Sequence, residues 1–482
     1  MGDVAAALPR ALARHGLRPH VVMPLYQGID RHGFERLSDR LQVRVGSEVR
    51  EAGVWRGTLG QGVPLYLLEE PGYFDRAGIY GPNGTSFSDN LQRFVFLSHA
   101  ALTLADCLGI APDVVHANDW PTALAISYAQ NRPTALPTVF TIHNVGYQGQ
   151  FPLEGFSLTG LPSEELRADS LEHFGTMNLM KGAILNSTML TTVSPTYAQE
   201  IQRPAFGGGL DGVLRSRTDA LHGILNGIDV EVWNPSTDPY LPAHFDATDL
   251  VGKRTCKAQL QRAAGFAERP EVPLFGLVTR LTHQKGLDVF ARALGRILSL
   301  DVQIVLLGTG DPEAERFFRT ATEVRPDRFR AWIDFDPALA HRIEAGCDFF
   351  VMPSRYEPCG LNQLYSLRYG TLPVVRATGG LDDSVDNYDE STGGGTGFKF
   401  HDLNPQSMYD VIGWAVSTWY DRPSHIAAMQ RRAMERDFSW DGAARGYESV
   451  YRAAIERHAA ASLMPTGTLM PTGTLMPTGT RG

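Results

Sequence analysis

The spacing of hydrophobic positions changes character along the chain. Val4, Ala7, Leu8, Ala11 and Leu12 recur at helical intervals, so the chain opens on an amphipathic helix. Residues 20–24 (HVVMP) follow as a short apolar run, read as a buried strand. Further runs at 63–68, 114–117, 138–143 and 190–193 read as strands, with longer amphipathic stretches such as 90–108 between several of them. This alternation predicts an α/β unit around a mainly parallel sheet. A charged stretch near 240–265 carries few strand signals and separates the halves. The pattern then restarts with strand 273–279, helix 287–298 and strands 302–307, 348–353 and 372–376. Two α/β units result. Ligands of such sheets bind beyond the carboxyl ends of the strands, so the cleft between the units is the expected site.

Bulk properties narrow the picture. A chain of 482 residues suits two large domains. Lys and Arg number 44 against 53 Asp and Glu, a net charge of −9, which argues against a nucleic-acid partner but leaves room for a local cationic pocket. The four cysteines form no C-x-x-C pair and read as reduced thiols. No apolar run is long enough to span a membrane and no signal pattern precedes the first helix. The expected location is the cytoplasm. From Leu463 the sequence LMPTGT occurs three times, and proline and glycine every six residues resist regular structure. Residues 461–482 are therefore expected to be a disordered tail.

Five segments carry candidate chemistry. In "MPSRYEPCGLNQLYSLRYGTLPVVRATGGLDDSV", residues 352–385, a strand ends at Pro353 and a helix starts near Leu361. Glu357 thus sits at a strand end beside a helix start, where the N–H groups of Gly360, Leu361 and Asn362 suit a phosphate. The competing reading is that Glu357 only caps its helix. In "GLVTRLTHQKGLDVF" the cations Arg280 and Lys285 lie just past a strand, placed to neutralise a leaving diphosphate or simply exposed to solvent. His143 and Asn144 end strand 138–143, where they suit sugar hydroxyls or serve the loop. Asp119 precedes Trp120-Pro121, so N-capping is its strong competitor. Asn226-Gly227 marks a tight turn after a strand, with Asn226 a sugar contact or a turn former. There is no G-x-G-x-x-G after the first strand, no P-loop and no cluster with metal spacing. Asp334 and Asp336 mimic a metal pair, but Asp336 precedes a helical pattern and reads as an N-cap.

In combination, "HANDWPTAL", "TIHNVGYQG", "NGIDVEVWNP", "TRLTHQKG" and the 352–385 segment resemble the bacterial glycogen synthase and plant starch synthase family. The resemblance runs in order from Gly2 to about residue 457. It implies a retaining, ADP-glucose-using glucosyltransferase of the GT-B fold, with two Rossmann-like α/β domains facing across a cleft. The implied layout is an N-terminal acceptor-side domain at 1–240, a nucleotide-sugar domain at 241–437 and a closing helix at 438–460 that returns to the first domain. By position, Glu357 matches the family's catalytic carboxylate and Arg280 with Lys285 the pair that holds the donor diphosphate. Cys359, Gly360, Leu361 and Asn362 match the turn beside that phosphate, where many relatives carry Thr at the place of Asn362. His143 and Asn226 match glucose contacts, and Asp119 matches a cleft acid. Phe335 stands where relatives stack an aromatic, often Tyr, on adenine; stacking survives that exchange but a phenol hydrogen bond does not.

The implied partners are ADP-glucose and a glycogen or linear α-1,4-glucan acceptor, extended at its non-reducing 4-hydroxyl, with no metal or other cofactor. A retaining glycoside hydrolase would use two close carboxylates, whereas one carboxylate and a phosphate-suited site favour transfer. Relatives begin with a strand and a Lys-Thr-Gly-Gly loop, while this chain begins within that loop at Met1-Gly2-Asp3-Val4. The first strand of the N-terminal domain is therefore expected to be missing. That leaves a truncated, weakly active or inactive glucan-binding homologue as one alternative. A sugar-nucleotide epimerase of similar architecture is a more remote one.

Overall fold

The computed structural model describes residues 2–463. The C-terminal half is built on six parallel strands in the spatial order Phe329–Trp332, Gln303–Leu307, Leu274–Val278, Phe349–Met352, Leu372–Arg376, Phe398–Phe400. Its central strands are continuous apolar runs because helices cover both faces. Phe275, Leu277, Ile304 and Leu306 pack towards helices Leu287–Ile297 and Pro405–Asp421. Leu274 and Val305 pack towards helices Val251–Ala264 and Pro337–Gly346. The chain winds outward in one direction from Leu274–Val278 and in the other from Phe349–Met352. The carboxyl ends of these two neighbouring strands thus flank the sheet's switch point.

The N-terminal half holds four parallel strands in the order Leu221–Gly223, Met189–Thr192, Thr138–Ile142, Val115–Asn118. A second ladder pairs Val21–Pro24 in parallel with Pro64–Glu69. The rest of that ladder is antiparallel: Glu48–Thr58 pairs with Pro64–Glu69, Leu41–Val45 and Glu35–Arg36. The expectation of a mainly parallel sheet is corrected here. Only Gly46 and Ser47 separate Leu41–Val45 from Glu48–Thr58, with Gly46 at φ +60°, and so short a connection permits only an antiparallel hairpin. Among the described residues, Val21–Pro24 and Val115–Asn118 each pair on one side only, so this half's strands form two ladders rather than one sheet. A separate small sheet of Gln150–Pro152, Thr176–Asn178 and Glu172–His173 was not foreseen.

The last helix, Trp440–Leu463, returns to the first half. Trp440, Ala443, Ala444 and Tyr447 close over Val4, Ala7, Leu8, Ala11 and Leu12 of helix Gly2–Arg14. Tyr451 reaches His116 (2.8 Å), whose other ring nitrogen meets Thr141 (2.6 Å). This helix runs to residue 463, so 461–463 are not part of a tail; the repeats from 464 lie outside the described residues. Trp233 and Asp238, ahead of the boundary expected at 240, pack on the C-terminal half, where Asp238 accepts from Tyr369 (2.6 Å) and pairs with His341 (2.7 Å).

Candidate active site

The strand ends of the C-terminal sheet supply one wall. Residues 279–288 and 353–362 leave adjacent strands at the switch point and are stitched together. Arg355 N–H donates to the Gln284 carbonyl (2.8 Å), and Arg355 forks onto Asp288 (2.6 and 2.8 Å). Asn362 Nδ2 donates to the Val278 carbonyl (2.7 Å). Gly286, at φ +70°, is needed for this approach, because a Cβ there would overlap the Pro353 carbonyl oxygen. The result aims Lys285 at Glu357: Nζ lies 2.5 Å from Oε2, and Ser354 Oγ donates to the same oxygen at 2.9 Å. Glu357 is 5% exposed. A carboxylate held so deeply needs its charge balanced, which Lys285 provides. The helix-capping alternative for Glu357 falls away, since its carboxylate bonds Lys285 and Ser354 instead. Arg280 is exposed on the same edge and pairs with no carboxylate among the described residues.

Behind Glu357, Leu361 is the N-cap of a helix, Asn362–Arg368, of only seven residues. The N–H groups of Gly360, Leu361 and Asn362 have no acceptor among the described residues. Gly360 takes φ +69° to make the turn. Burial pushes the Cys359 thiol up to about 12, so it stays protonated. Phe335 follows strand Phe329–Trp332 at the same edge of the sheet and is 85% exposed, a free aromatic face. Asp336 caps helix Pro337–Gly346 by accepting from Leu339 N–H (2.9 Å), as its sequence position predicts.

The N-terminal half supplies the other wall, again from strand ends. Asp119 does not cap the turn that follows it. It sits at φ +55°, and its Oδ1 accepts from the backbone N–H of His143 (2.8 Å) and Asn144 (3.4 Å), tying two strand ends together. Burial raises the Asp119 carboxyl to about 7, against the opposing pull of those two N–H groups. His143 Nε2 meets Asn118 Oδ1 at 2.9 Å, and burial lowers the imidazole to about 3, so the ring is neutral. Asn226 is buried, with Oδ1 unpartnered and its amide beside the Cys359 thiol. Asn226-Gly227 is not the tight turn the dipeptide suggests: neither residue has positive φ. The glycine is there because the chain passes the backbone of Trp440, where a Cβ would lie 2.6 Å from its Cα.

The two walls meet. Cys359 is part of the N-terminal half's core, Leu361 packs against the cores of both halves, and the Tyr356 hydroxyl lies beside the Asn144 side chain. Glu357, Lys285, Cys359, Gly360, Leu361 and Asn362 are therefore brought together, with Asn226 against Cys359; Asp119 and His143 form their own linked group opposite. Sequence reasoning missed Ser354, Asn118 and the Thr378-Gly379-Gly380 turn, whose Gly380 N–H donates to the Glu357 carbonyl (3.1 Å). The glycine pair was the available signal. Among the described residues no group of three or more His, Cys, Asp or Glu converges as a metal site would, and no helix is long and apolar enough to cross a membrane.

Comparison with known proteins agrees with this geometry. Residues 1–216 match the starch synthase catalytic domain family, and residues 261–432 match the glycosyl transferases group 1 family. Glycogen synthase 1 of Geobacter metallireducens is 47% identical over 467 residues, covering 95% of this chain and 93% of that protein. The glycogen synthase of Anaeromyxobacter sp. strain Fw109-5 is 48% identical over 460 residues, covering 94% and 95%. The catalytic domain of starch synthase IV from Arabidopsis thaliana, solved with ADP and acarbose, superposes with a TM-score of 0.87 at 34% identity, covering 94% of this chain and 96% of that one. Sucrose-phosphate synthase from Thermosynechococcus elongatus shares the fold alone, with a TM-score of 0.57 at 16% identity. The architecture is GT-B, and neither the epimerase nor the inactive-homologue alternative is favoured. The chain belongs to the glycogen and starch synthase family of glycosyltransferases.

Proposed function

We propose that the chain transfers glucose from ADP-glucose to the non-reducing 4-hydroxyl of an α-1,4-glucan, with retention at C1. The observation that carries this is the buried Glu357–Lys285 pair at the switch point, with unpartnered Arg280 and free backbone N–H groups on the same edge. In the reaction the bond from C1 to the diphosphate breaks, the acceptor's 4-oxygen bonds C1, and ADP and a proton are released. Positive charge builds on the sugar ring and negative charge on the leaving diphosphate. Glu357 answers the first, and Lys285 with Arg280 the second, as fixed charges that need no reorganisation. His143, neutral, and Asn226, with a free Oδ1, offer hydroxyl contacts to the glucose, and Asp119 orders the His143 loop. Phe335 offers a ring for the adenine. The relative solved with ADP and acarbose supports a nucleotide and an oligosaccharide as the ligands. Because the cations are built in, the reaction is proposed to use no metal or other cofactor, and the protein to work in the cytoplasm.

The test uses the purified chain with ADP-glucose or UDP-glucose and glycogen, reading nucleotide release and chain extension. The expected result is faster turnover with ADP-glucose, no loss in EDTA, α-linked product, and at least a hundredfold lower kcat in Glu357→Gln. Equal rates for Glu357→Gln and the parent would reject Glu357 as the reacting carboxylate.

A further inference from the structure

We infer that the short helix Pro195–Glu200 is a clamp that fixes the N-terminal wall of the site against the Glu357 turn, with Glu200, Tyr197 and Thr196 as positioning residues. The helix follows strand Met189–Thr192, capped by Ser194, whose Oγ accepts from Tyr197 N–H (2.9 Å). From there it reaches both walls. On its own side, the fully buried Tyr197 accepts from the backbone N–H of Val145 (3.1 Å), two residues beyond His143. Across the domain boundary, Asp383 accepts from Thr196 N–H (3.0 Å) and Thr196 Oγ1 (2.7 Å). Glu200 Oε1 accepts from Thr378 Oγ1 (2.9 Å) and Gly379 N–H (3.2 Å).

The next link ends at the backbone of Glu357, the residue that carries the reacting carboxylate. Gly380 N–H donates to the carbonyls of Glu357 (3.1 Å) and Pro358 (3.2 Å). Gly379, at φ +46°, has no room for a Cβ against the Glu357 carbonyl. A continuous path of hydrogen bonds and backbone contact therefore runs from the His143 loop through Tyr197 and Glu200 to Glu357. Glu200 is also held at a cost. It is nine-tenths buried, its Oε2 has no partner among the described residues, and burial raises its carboxyl above the ordinary range. A buried carboxylate with one idle oxygen is an expensive way to hold two helices together. It is understandable where the position of the Gly379 N–H matters. This inference rests on Glu357 carrying the transfer.

The test compares Glu200→Ala, Glu200→Gln and Thr378→Val by steady-state kinetics, ADP binding and amide hydrogen exchange. In Glu200→Ala, kcat should fall at least tenfold while the KM for ADP-glucose and the Kd for ADP change less than about threefold, because the diphosphate cations stay on the C-terminal half. Exchange at Gly379 and Gly380 should speed up at least tenfold, with strands Leu274–Val278 and Phe349–Met352 unchanged. Glu200→Gln, which keeps an acceptor oxygen, should recover most of the loss, and Thr378→Val should fall between the two. The inference is overturned if Glu200→Ala leaves turnover and exchange within twofold of the parent. It is equally overturned if Gln is as damaging as Ala and exchange rises uniformly across both sheets. A parent without glucosyl transfer would reject the proposed function alone, and the exchange arm would still decide the clamp.

Discussion

Two carboxylates in this cleft show how environment assigns different duties to one functional group. Glu357 is buried but balanced by a lysine at 2.5 Å. Among the described residues the Asp119 carboxylate is hydrogen-bonded only by backbone N–H groups, and burial lifts it to about 7. A carboxyl whose folded value lies above its ordinary 3.8 stabilises the fold most at low pH, and that contribution is lost as pH rises through the folded value. Ionised Asp119 is thus a burden on stability above pH 7, while an anion facing a cationic transition state favours turnover. Asp119→Asn keeps an acceptor for His143 N–H and removes the titration. Relative to the parent it should gain a few kcal/mol of stability between pH 5 and pH 8, read from urea midpoints. The parent's kcat/KM is expected to rise along a limb centred near pH 7, and that of the variant to lack this limb. Comparing the two proteins cancels the opposite contribution of the buried, neutral His116 and His143.

Strands, helices and turns were unequally legible. Seven of the ten strands in the two parallel sheets fall within a residue or so of their apolar runs, because strands covered on both faces carry few polar positions to blur the ends; Leu221–Gly223, Phe329–Trp332 and Phe398–Phe400, short and interrupted by His222, Arg330 and Lys399, had no run assigned. Leu41–Val45 was missed although it alternates, since Gln42 and Arg44 on its open face dilute a five-residue signal. Site residues were legible one at a time as strand-end polar groups. Their pairings were not: Lys285 and Glu357 lie 72 positions apart, and Glu200 and Gly379 lie 179 apart. Such contacts are set by the order of strands in a sheet, which periodicity does not encode. Glycines carried part of that missing information. Gly286 reads as a helix start but serves the approach of two strand ends. Gly286→Ala meets both a φ of +70° and the Pro353 carbonyl oxygen, so the turn bearing Lys285 must shift. A loss of about 1–3 kcal/mol in stability is expected, with weaker ADP binding by calorimetry, while circular dichroism keeps its native shape.

The halves are joined covalently twice, and the two crossings run side by side. Ile228 N–H donates to the Phe438 carbonyl (2.8 Å), and Ile228 bridges Ser439. The remaining contacts across the boundary described above are hydrogen bonds at one helix, the wedge of Cys359 and Leu361, and the contacts of Asn226 with Cys359 and of Tyr356 with Asn144. A junction of this kind resembles a transient interface, for which relative motion of the domains is the default. The paired crossings are then the expected place about which such motion turns. Gly227 sets their spacing, because a Cβ would lie 2.6–2.8 Å from backbone atoms of Ser439 and Trp440, neither of which can rotate away. Gly227→Ala should push the crossings apart without touching any strand of the C-terminal sheet. ADP binding, carried by that half, is expected to stay within about threefold of the parent. Turnover, which needs both walls in register, should fall at least tenfold, since small misplacements of reacting groups cost about a hundredfold in rate. Small-angle scattering should then show the ADP-bound variant more extended than the ADP-bound parent. A variant of unchanged dimensions and unchanged kcat would mean that the spacing of the crossings does not govern how the halves meet.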